Sequence, residues 1–196
     1  MNKGMIVGLS VLGLVVIMFL WGMGQYNGMV TAEETVTKSW ANVESQYQRR
    51  SDLIPNLVAT VKGYAAHESG TLQAVVEARA KATQTTIDPT NMTSESLAKF
   101  QAAQSQVSSS LSRLLVTVEK YPDLKANQNF LELQAQLEGT ENRISVERQR
   151  FNDAAQSFNI MIRRFPKNII AGLFGFEKKV YFEAEEGAAK APEVKF

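Results

Sequence analysis

No cysteine occurs among the 196 residues. That removes disulfides, thiol nucleophiles, iron–sulfur clusters and cysteine-based zinc sites together, and with them the cysteine-built anchor of a bacterial lipoprotein. Histidine is nearly absent too: His67 is the only one. Glu68 follows it but no second histidine stands four residues on, so the helix-borne zinc motif is missing. General acid–base catalysis would need convergent partners that the sequence does not set beside His67. Charge of one sign is lacking as well, because 21 Lys and Arg against 20 Asp and Glu leave a formal +1 spread along the body. Without a strong basic face, nucleic acid is not an expected partner. There is no Gly-rich phosphate loop. No catalytic residue, cofactor site or metal ligand is assigned on these grounds.

The chain does have a long apolar run at its start. From Gly4 to Ala32 no residue is charged, and Met5 to Met23 is almost wholly apolar. About 20 helical residues cross the hydrocarbon core of a bilayer. A signal peptide would carry an apolar region of only about 7–15 residues before a small-residue cleavage site. This run is longer, and Gly22 and Gly24 make a poor cleavage site. Trp21 and Tyr26 stand where the interfacial belt of a spanning helix falls. A retained transmembrane anchor is therefore expected, with Met5, Trp21 and Met23 marking its extent. The terminal amine and Lys3 precede the span and Lys38 follows it, so one lysine stands on each flank and only the amine tips the balance towards the N-terminus inside and the body outside. Gly4 and Gly8 form one small-xxx-small pair that could support helix pairing, although glycine is common in such segments.

Past the anchor, four stretches repeat apolar residues at alternating steps of three and four. The first reads Val36, Trp40, Val43, Tyr47, Ile54, Leu57, Val61 and Tyr64. The second, after Gly70 as a reversing residue, carries Leu72, Val75, Val76 and Ala80. The third reads Leu97, Phe100, Gln104, Val107, Leu111, Leu114, Val118 and Tyr121. In the fourth, Phe130, Leu137, Ile144, Phe151, Phe158 and Phe165 recur at intervals of seven. No segment alternates with a period of two, so the pattern predicts long helices sharing a coiled-coil-like seam. Ser94 or Thr93 can cap the third helix, and Tyr121-Pro122 and Phe165-Pro166 end helices. Pro55 interrupts a seam that keeps register through Tyr47, Ile54 and Leu57. It either opens a new helix in its first turn or kinks one long helix; the register favours the kink.

Polar residues enter these seams. Arg50 stands where an apolar residue is expected, and Thr140, Glu141, Glu147 and Arg148 fill positions between the sevens. Arg49 or Arg50 pairing with Glu141 or Glu147 across the bundle would satisfy those charges and hold register. A ferritin-like metal site would instead need four carboxylates and two Glu-x-x-His pairs, which one histidine cannot supply.

Several blocks together resemble the LemA family of bacterial membrane proteins. They are Gln25-Tyr26-Asn27, Trp40, Arg49-Arg50-Ser51-Asp52-Leu53-Ile54-Pro55-Asn56-Leu57-Val58 and Val61-Lys62-Gly63-Tyr64-Ala65. Further on stand Glu119-Lys120-Tyr121-Pro122-Asp123-Leu124-Lys125-Ala126, Thr140-Glu141-Asn142-Arg143-Ile144 and Arg164-Phe165-Pro166. The likeness covers nearly the whole chain. One departure is Phe151-Asn152, where the pattern leads one to expect tyrosine before the asparagine. The resemblance implies a short N-terminal tail, one membrane span and an antiparallel four-helix bundle. It carries over no catalytic residue and no activity. Members are described with the N-terminus outside and the bundle in the cytoplasm, opposite to the side the flanking charges favour.

The expected fold is thus all-α: an N-terminal transmembrane helix followed by an antiparallel up-and-down four-helix bundle of long helices. Residues 1–27 form the tail and anchor, 28–166 the bundle, 167–182 an apolar segment and 183–196 a mobile tail. If the helices run up and down from the membrane, the fourth returns towards it. Ile169, Ile170, Leu173, Phe174 and Phe176, with Lys178 and Lys179 beside them, then either meet the bilayer interface or cap the bundle's membrane-proximal end. The chain closes on Val194-Lys195-Phe196, either a frayed end or a partner-binding strand for a PDZ-like groove. The expected function is a membrane-anchored scaffold or interaction protein of the bacterial envelope, in the inner or cell membrane, without catalytic activity. Its partners would be membrane lipid, an unidentified protein and further copies of the chain. The alternative is a metal-binding or enzymatic protein that uses polar residues of the seam.

Overall fold

The computed structural model describes residues 2–183. They form six helices: α1 (Lys3–Tyr64), α2 (Ser69–Gln84), α3 (Ser94–Val118), α4 (Pro122–Lys125), α5 (Gln128–Arg163) and α6 (Lys167–Phe174), with no strand among the described residues. The fold class is all-α. Packing divides the described chain into two compact units, one of residues 2–39 with 153–179 and one of 40–152 with 180–183.

In the unit of residues 40–152 and 180–183, α1, α2, α3 and α5 run alternately up and down. Trp40 and Arg50 of α1 meet Phe151 and Glu141 of α5 in reversed order, so those helices are antiparallel. The same two residues meet Phe100 and Gln104 of α3 in matching order, so α1 and α3 run the same way. The seam residues Trp40, Val43, Tyr47, Ile54, Leu57 and Val61 are buried, as are Leu97 to Val118 of the third stretch and Phe130, Leu137, Ile144 and Phe151 of the fourth. Apolar burial at steps of three and four is what holds a coiled-coil-like bundle together.

The period misplaced a few residues. Tyr64 is exposed and Ala65 is buried in its stead. In α2, Val76 and Ala80 face solvent while Ala78 and Ala82 are buried. A short helix carries too few apolar residues to fix its own rotation, and the small alanines allow close packing on α3. Gly70 lies in the first turn of α2, and among the described residues only Gly175 has positive φ, so Gly70 is not a reversing residue.

Local chemistry explains the ends. Thr93 Oγ1 accepts the Ser96 N–H at 3.1 Å while Ser96 Oγ accepts the Thr93 N–H at 3.0 Å, closing a capping box on α3. Pro122 occupies the first turn of α4, where its missing N–H costs little. The Asn127 side chain accepts the Phe130 N–H at 3.1 Å at the start of α5. Tyr121 donates to Glu68 at 3.1 Å; burial and that acceptor carboxylate hold its phenol above the ordinary tyrosine range.

Pro55 lies inside α1, which continues through it as one helix. A proline within a helix leaves the carbonyl four residues back without its N–H donor. That carbonyl belongs to Ser51, a buried residue, and Arg79 of α2 supplies the donor: its Nε–H reaches the Ser51 oxygen at 2.8 Å. The break in one helix thus becomes a tie to the next.

In the unit of residues 2–39 and 153–179, Met29, Val36, Ala155, Phe158, Ile162 and Ala171 are buried. Residues 3–21 of α1 are all exposed. Phe165, read as the last seam residue, is 82% exposed because α5 has already ended at Arg163. α6 closes at Gly175, whose φ of 74° is a left-handed end that glycine takes without a Cβ penalty. The chain then passes back along α5.

Replacing Arg79 with methionine keeps its stem but orphans the Ser51 carbonyl. We expect a loss of about 1–3 kcal/mol in urea unfolding in detergent. Adding Pro55→Ala returns an N–H to the helix and should recover about 1 kcal/mol of it. Equal stability of Arg79→Met and the parent chain would show that the carbonyl needs no such donor.

Candidate functional site

Chemistry-bearing residues gather in three places. The first is a buried arginine. Arg50 is 2% exposed, and both its amino groups are engaged: its guanidinium donates to Glu141 Oε1 at 2.5 Å, Ser108 Oγ at 2.8 Å, Gln104 Oε1 at 2.6 Å and the Gln104 carbonyl at 3.2 Å. The Tyr47 ring lies 5.1 Å from its central carbon. Delocalised charge, planar fork and weak hydration make arginine the cation best suited to such a place. Glu141 remains 42% exposed, so the ion pair links core to solvent. Beside it, α3 and α5 border a groove of about 410 Å³ lined by Ser105, Ser108, Ser109, Ser112, Glu138 and Glu141 among others.

Of the four charged residues singled out in the sequence, Arg50 and Glu141 come together. Arg49 is exposed, and Glu147 pairs with Arg150 on its own helix at 2.6 Å. Neighbours on a helix point about 100° apart, so only one of two consecutive arginines can face the seam. Gln104 was recognised only as a seam position, and Ser108 was missed. The exposed His67 lies in the turn between α1 and α2. Among the described residues no group of three or more His, Asp or Glu converges as metal ligands would.

The second place is an aromatic socket in the same unit. Phe182 stacks on Trp40 with centroids 5.8 Å apart and meets Phe151 edge-on at 5.5 Å. The Arg148 guanidinium lies 4.8 Å over its ring. Asn152 grips the backbone of the same residue from both sides, donating to its carbonyl at 3.1 Å and accepting its N–H at 2.9 Å. Gln101 and Arg148 each donate to the Glu183 carbonyl at 3.2 Å. Phe182 is therefore part of the bundle core, and its backbone is held as a sheet would hold a strand. The sequence did carry a signal: Phe-Asn occurs at 151–152 and again seven residues on, at 158–159.

The third place is in the other unit. Asn159, the second of those asparagines, donates to the Lys179 carbonyl and accepts its N–H, both at 2.8 Å. Lys179 Nζ reaches Glu33 at 2.5 Å and sits 5.5 Å from the Phe158 centroid. Tyr26 packs on Phe174 at 4.7 Å and Phe176 at 5.7 Å. Met5, Trp21 and Met23 are exposed along α1. Ile169 and Leu173 are exposed, Ile170 and Phe176 are half-buried, and Phe174 is exposed apart from its contact with Tyr26. Val194 and Phe196 lie outside the described residues.

A helical bundle whose first helix also carries an exposed run long and apolar enough to cross a bilayer is the make-up of a membrane-associated helical protein. The chain belongs to the LemA family, whose description matches residues 39–196. It is similar to Magnetosome protein MamQ 2 of Paramagnetospirillum magneticum, 28% identical over 185 residues that cover 86% of this chain and 68% of that protein. Magnetosome protein MamQ of Magnetospirillum gryphiswaldense is 27% identical over 205 residues, 96% and 75% of the two chains. Protein LemA of Metamycoplasma hominis is 24% identical over 164 residues, 84% and 71%.

Two measurements probe the buried sites. Glu141→Ala leaves a buried guanidinium without its counter-charge and should cost about 3–5 kcal/mol. Arg50→Met leaves a carboxylate that already reaches water and should cost only about 1–3 kcal/mol, mainly from Gln104. The reverse order in urea unfolding would mean that the pair is not what satisfies Arg50. Phe182→Ala opens the aromatic socket and should lose about 3–5 kcal/mol, whereas Phe182→Leu keeps most of the volume and should lose less.

Proposed function

We propose that this protein is a non-catalytic, membrane-tethered scaffold of the bacterial envelope, which holds a helical bundle at a membrane surface for a protein partner or further copies of itself. The observation that carries this is the exposure of every residue from 3 to 21 in a folded chain. A continuous apolar run of that length, unburied by its own protein, needs hydrocarbon around it. The polar cluster of the bundle supports the same view. Both Arg50 amino groups donate to acceptors of the chain itself, so its guanidinium is engaged in holding register. Relatives named as magnetosome proteins and as LemA support membrane association. The amine and Lys3 ahead of the span, against Lys38 behind it, favour a cytoplasmic N-terminus and an extracytoplasmic bundle.

Alkaline carbonate washing of membranes tests the anchor. The full chain should stay in the pellet, and a chain with Leu12→Arg and Val15→Arg should move to the supernatant. Release of the unaltered chain by the wash would overturn the anchor. Protease added to intact spheroplasts should degrade the bundle if it lies outside. Crosslinking in cells from exposed bundle positions, read by mass, then separates further copies from a different partner.

A further inference from the structure

The exposed apolar surface of the unit of residues 2–39 and 153–179 does not end with the spanning run. Phe165, Ile169 and Leu173, each four residues from the next, are 82%, 62% and 78% exposed. That spacing places Ile169 and Leu173 on one face of α6, and Phe165 stands in the turn before it. A soluble surface scatters such residues singly; two large ones on a helix of eight residues, with a third in the turn just before it, form a surface that needs a cover.

Its surroundings indicate what covers it. Phe174 and Phe176 pack on Tyr26, three residues beyond Met23, so α6 is fixed beside the end of the apolar run of α1. Lys179–Glu33 and the two Asn159 bonds to Lys179 hold the returning chain in place, so this is a set position rather than a loose tail. Charge adds a second, independent pointer. Between residues 163 and 179 stand Arg163, Arg164, Lys167, Lys178 and Lys179 against the single acid Glu177. Lys179 is taken by Glu33; Arg163, Arg164 and Lys178 are exposed. An apolar stripe flanked by basic side chains at the level of a helix's interfacial end is the composition of an interfacial anchor on anionic lipid.

We propose that α6 is a second membrane contact. The stripe Phe165–Ile169–Leu173 enters the headgroup–acyl boundary of the bilayer, and Arg163, Arg164, Lys167 and Lys178 bind the phosphate-bearing headgroups of anionic phospholipid. The spanning helix sets depth; α6 sets the tilt and rotation of the chain about that helix and makes its seating sensitive to lipid charge. This rests on the anchor reading of α1, and the test separates the two.

The absence of native cysteine makes the test clean. Full-length chains with Leu14→Cys, Leu173→Cys or Ser112→Cys are labelled with an environment-sensitive fluorophore. They are reconstituted in phosphatidylcholine vesicles, with or without phosphatidylglycerol, that carry nitroxide lipid quenchers at shallow or deep positions. The expected result is deep quenching at residue 14, shallow quenching at 173 and none at 112. Quenching at 173 should rise with phosphatidylglycerol. It should fall by about threefold in high salt, which screens exposed charges, and likewise in the chain with Arg163→Gln, Arg164→Gln and Lys167→Gln. Quenching at 14 but not at 173 overturns the proposal and leaves the anchor standing. A blue-shifted label at 173 that no lipid quencher reaches also overturns it, in favour of a second copy or another protein. Equal quenching at 173 with and without phosphatidylglycerol overturns the assignment to anionic lipid. No quenching at 14 removes the anchor and the proposal together.

Discussion

Arg50 reaches Glu141 because Trp40 already lies on Phe151, ten residues back along α1 and ten residues on along α5. That shared antiparallel register is the constraint on which the bundle depends. Were α5 to slip by one residue, its heptad of Phe130, Leu137, Ile144 and Phe151 would rotate by about 100° out of the core. The guanidinium would then be left in an apolar setting without its partner. Apolar burial makes many registers attractive, but a buried charge makes nearly all of them costly. Ser108 and Gln104 extend the same constraint to α3, so one side chain reports the position of three helices.

The remaining irregularities are handled in the same manner, by a donor or acceptor brought from a different element. Pro55 removes one hydrogen bond from α1, and Arg79 replaces it from α2. Residues 179 and 182 have no strand beside them, and Asn159 and Asn152 supply the missing ladder, each making two bonds to one residue. A buried backbone group must find a partner somewhere, and here side chains from helices serve. Some accounts stay open: Trp40 Nε1, Gln46 Oε1, Ser51 Oγ and Glu147 Oε2 are buried without a hydrogen bond among the described residues.

These features bear on function by what they leave free. The polar residues of the core are spent on holding register, and the aromatic socket is filled by Phe182 from the chain itself. What is left exposed is surface: the apolar run of α1, the stripe beside α6, and the serine-lined groove of α3 and α5.

Much of this was legible in the linear order of residues. Composition and run length identified the candidate span, steps of three and four identified the helices and most of their buried faces, and the charge in the seam near residue 50 pointed to a partner near 141 or 147. Periodicity could do that because a helix turns by a fixed angle per residue, so spacing alone tells which residues share a face. It says nothing of what lies opposite. That Arg50 rather than Arg49 enters the core, that Glu147 turns to Arg150, that Arg79 serves Ser51 and that Phe182 completes the aromatic core were decided only by the tertiary structure. Each depends on the position of an atom from a distant segment, and no local spacing encodes that distance.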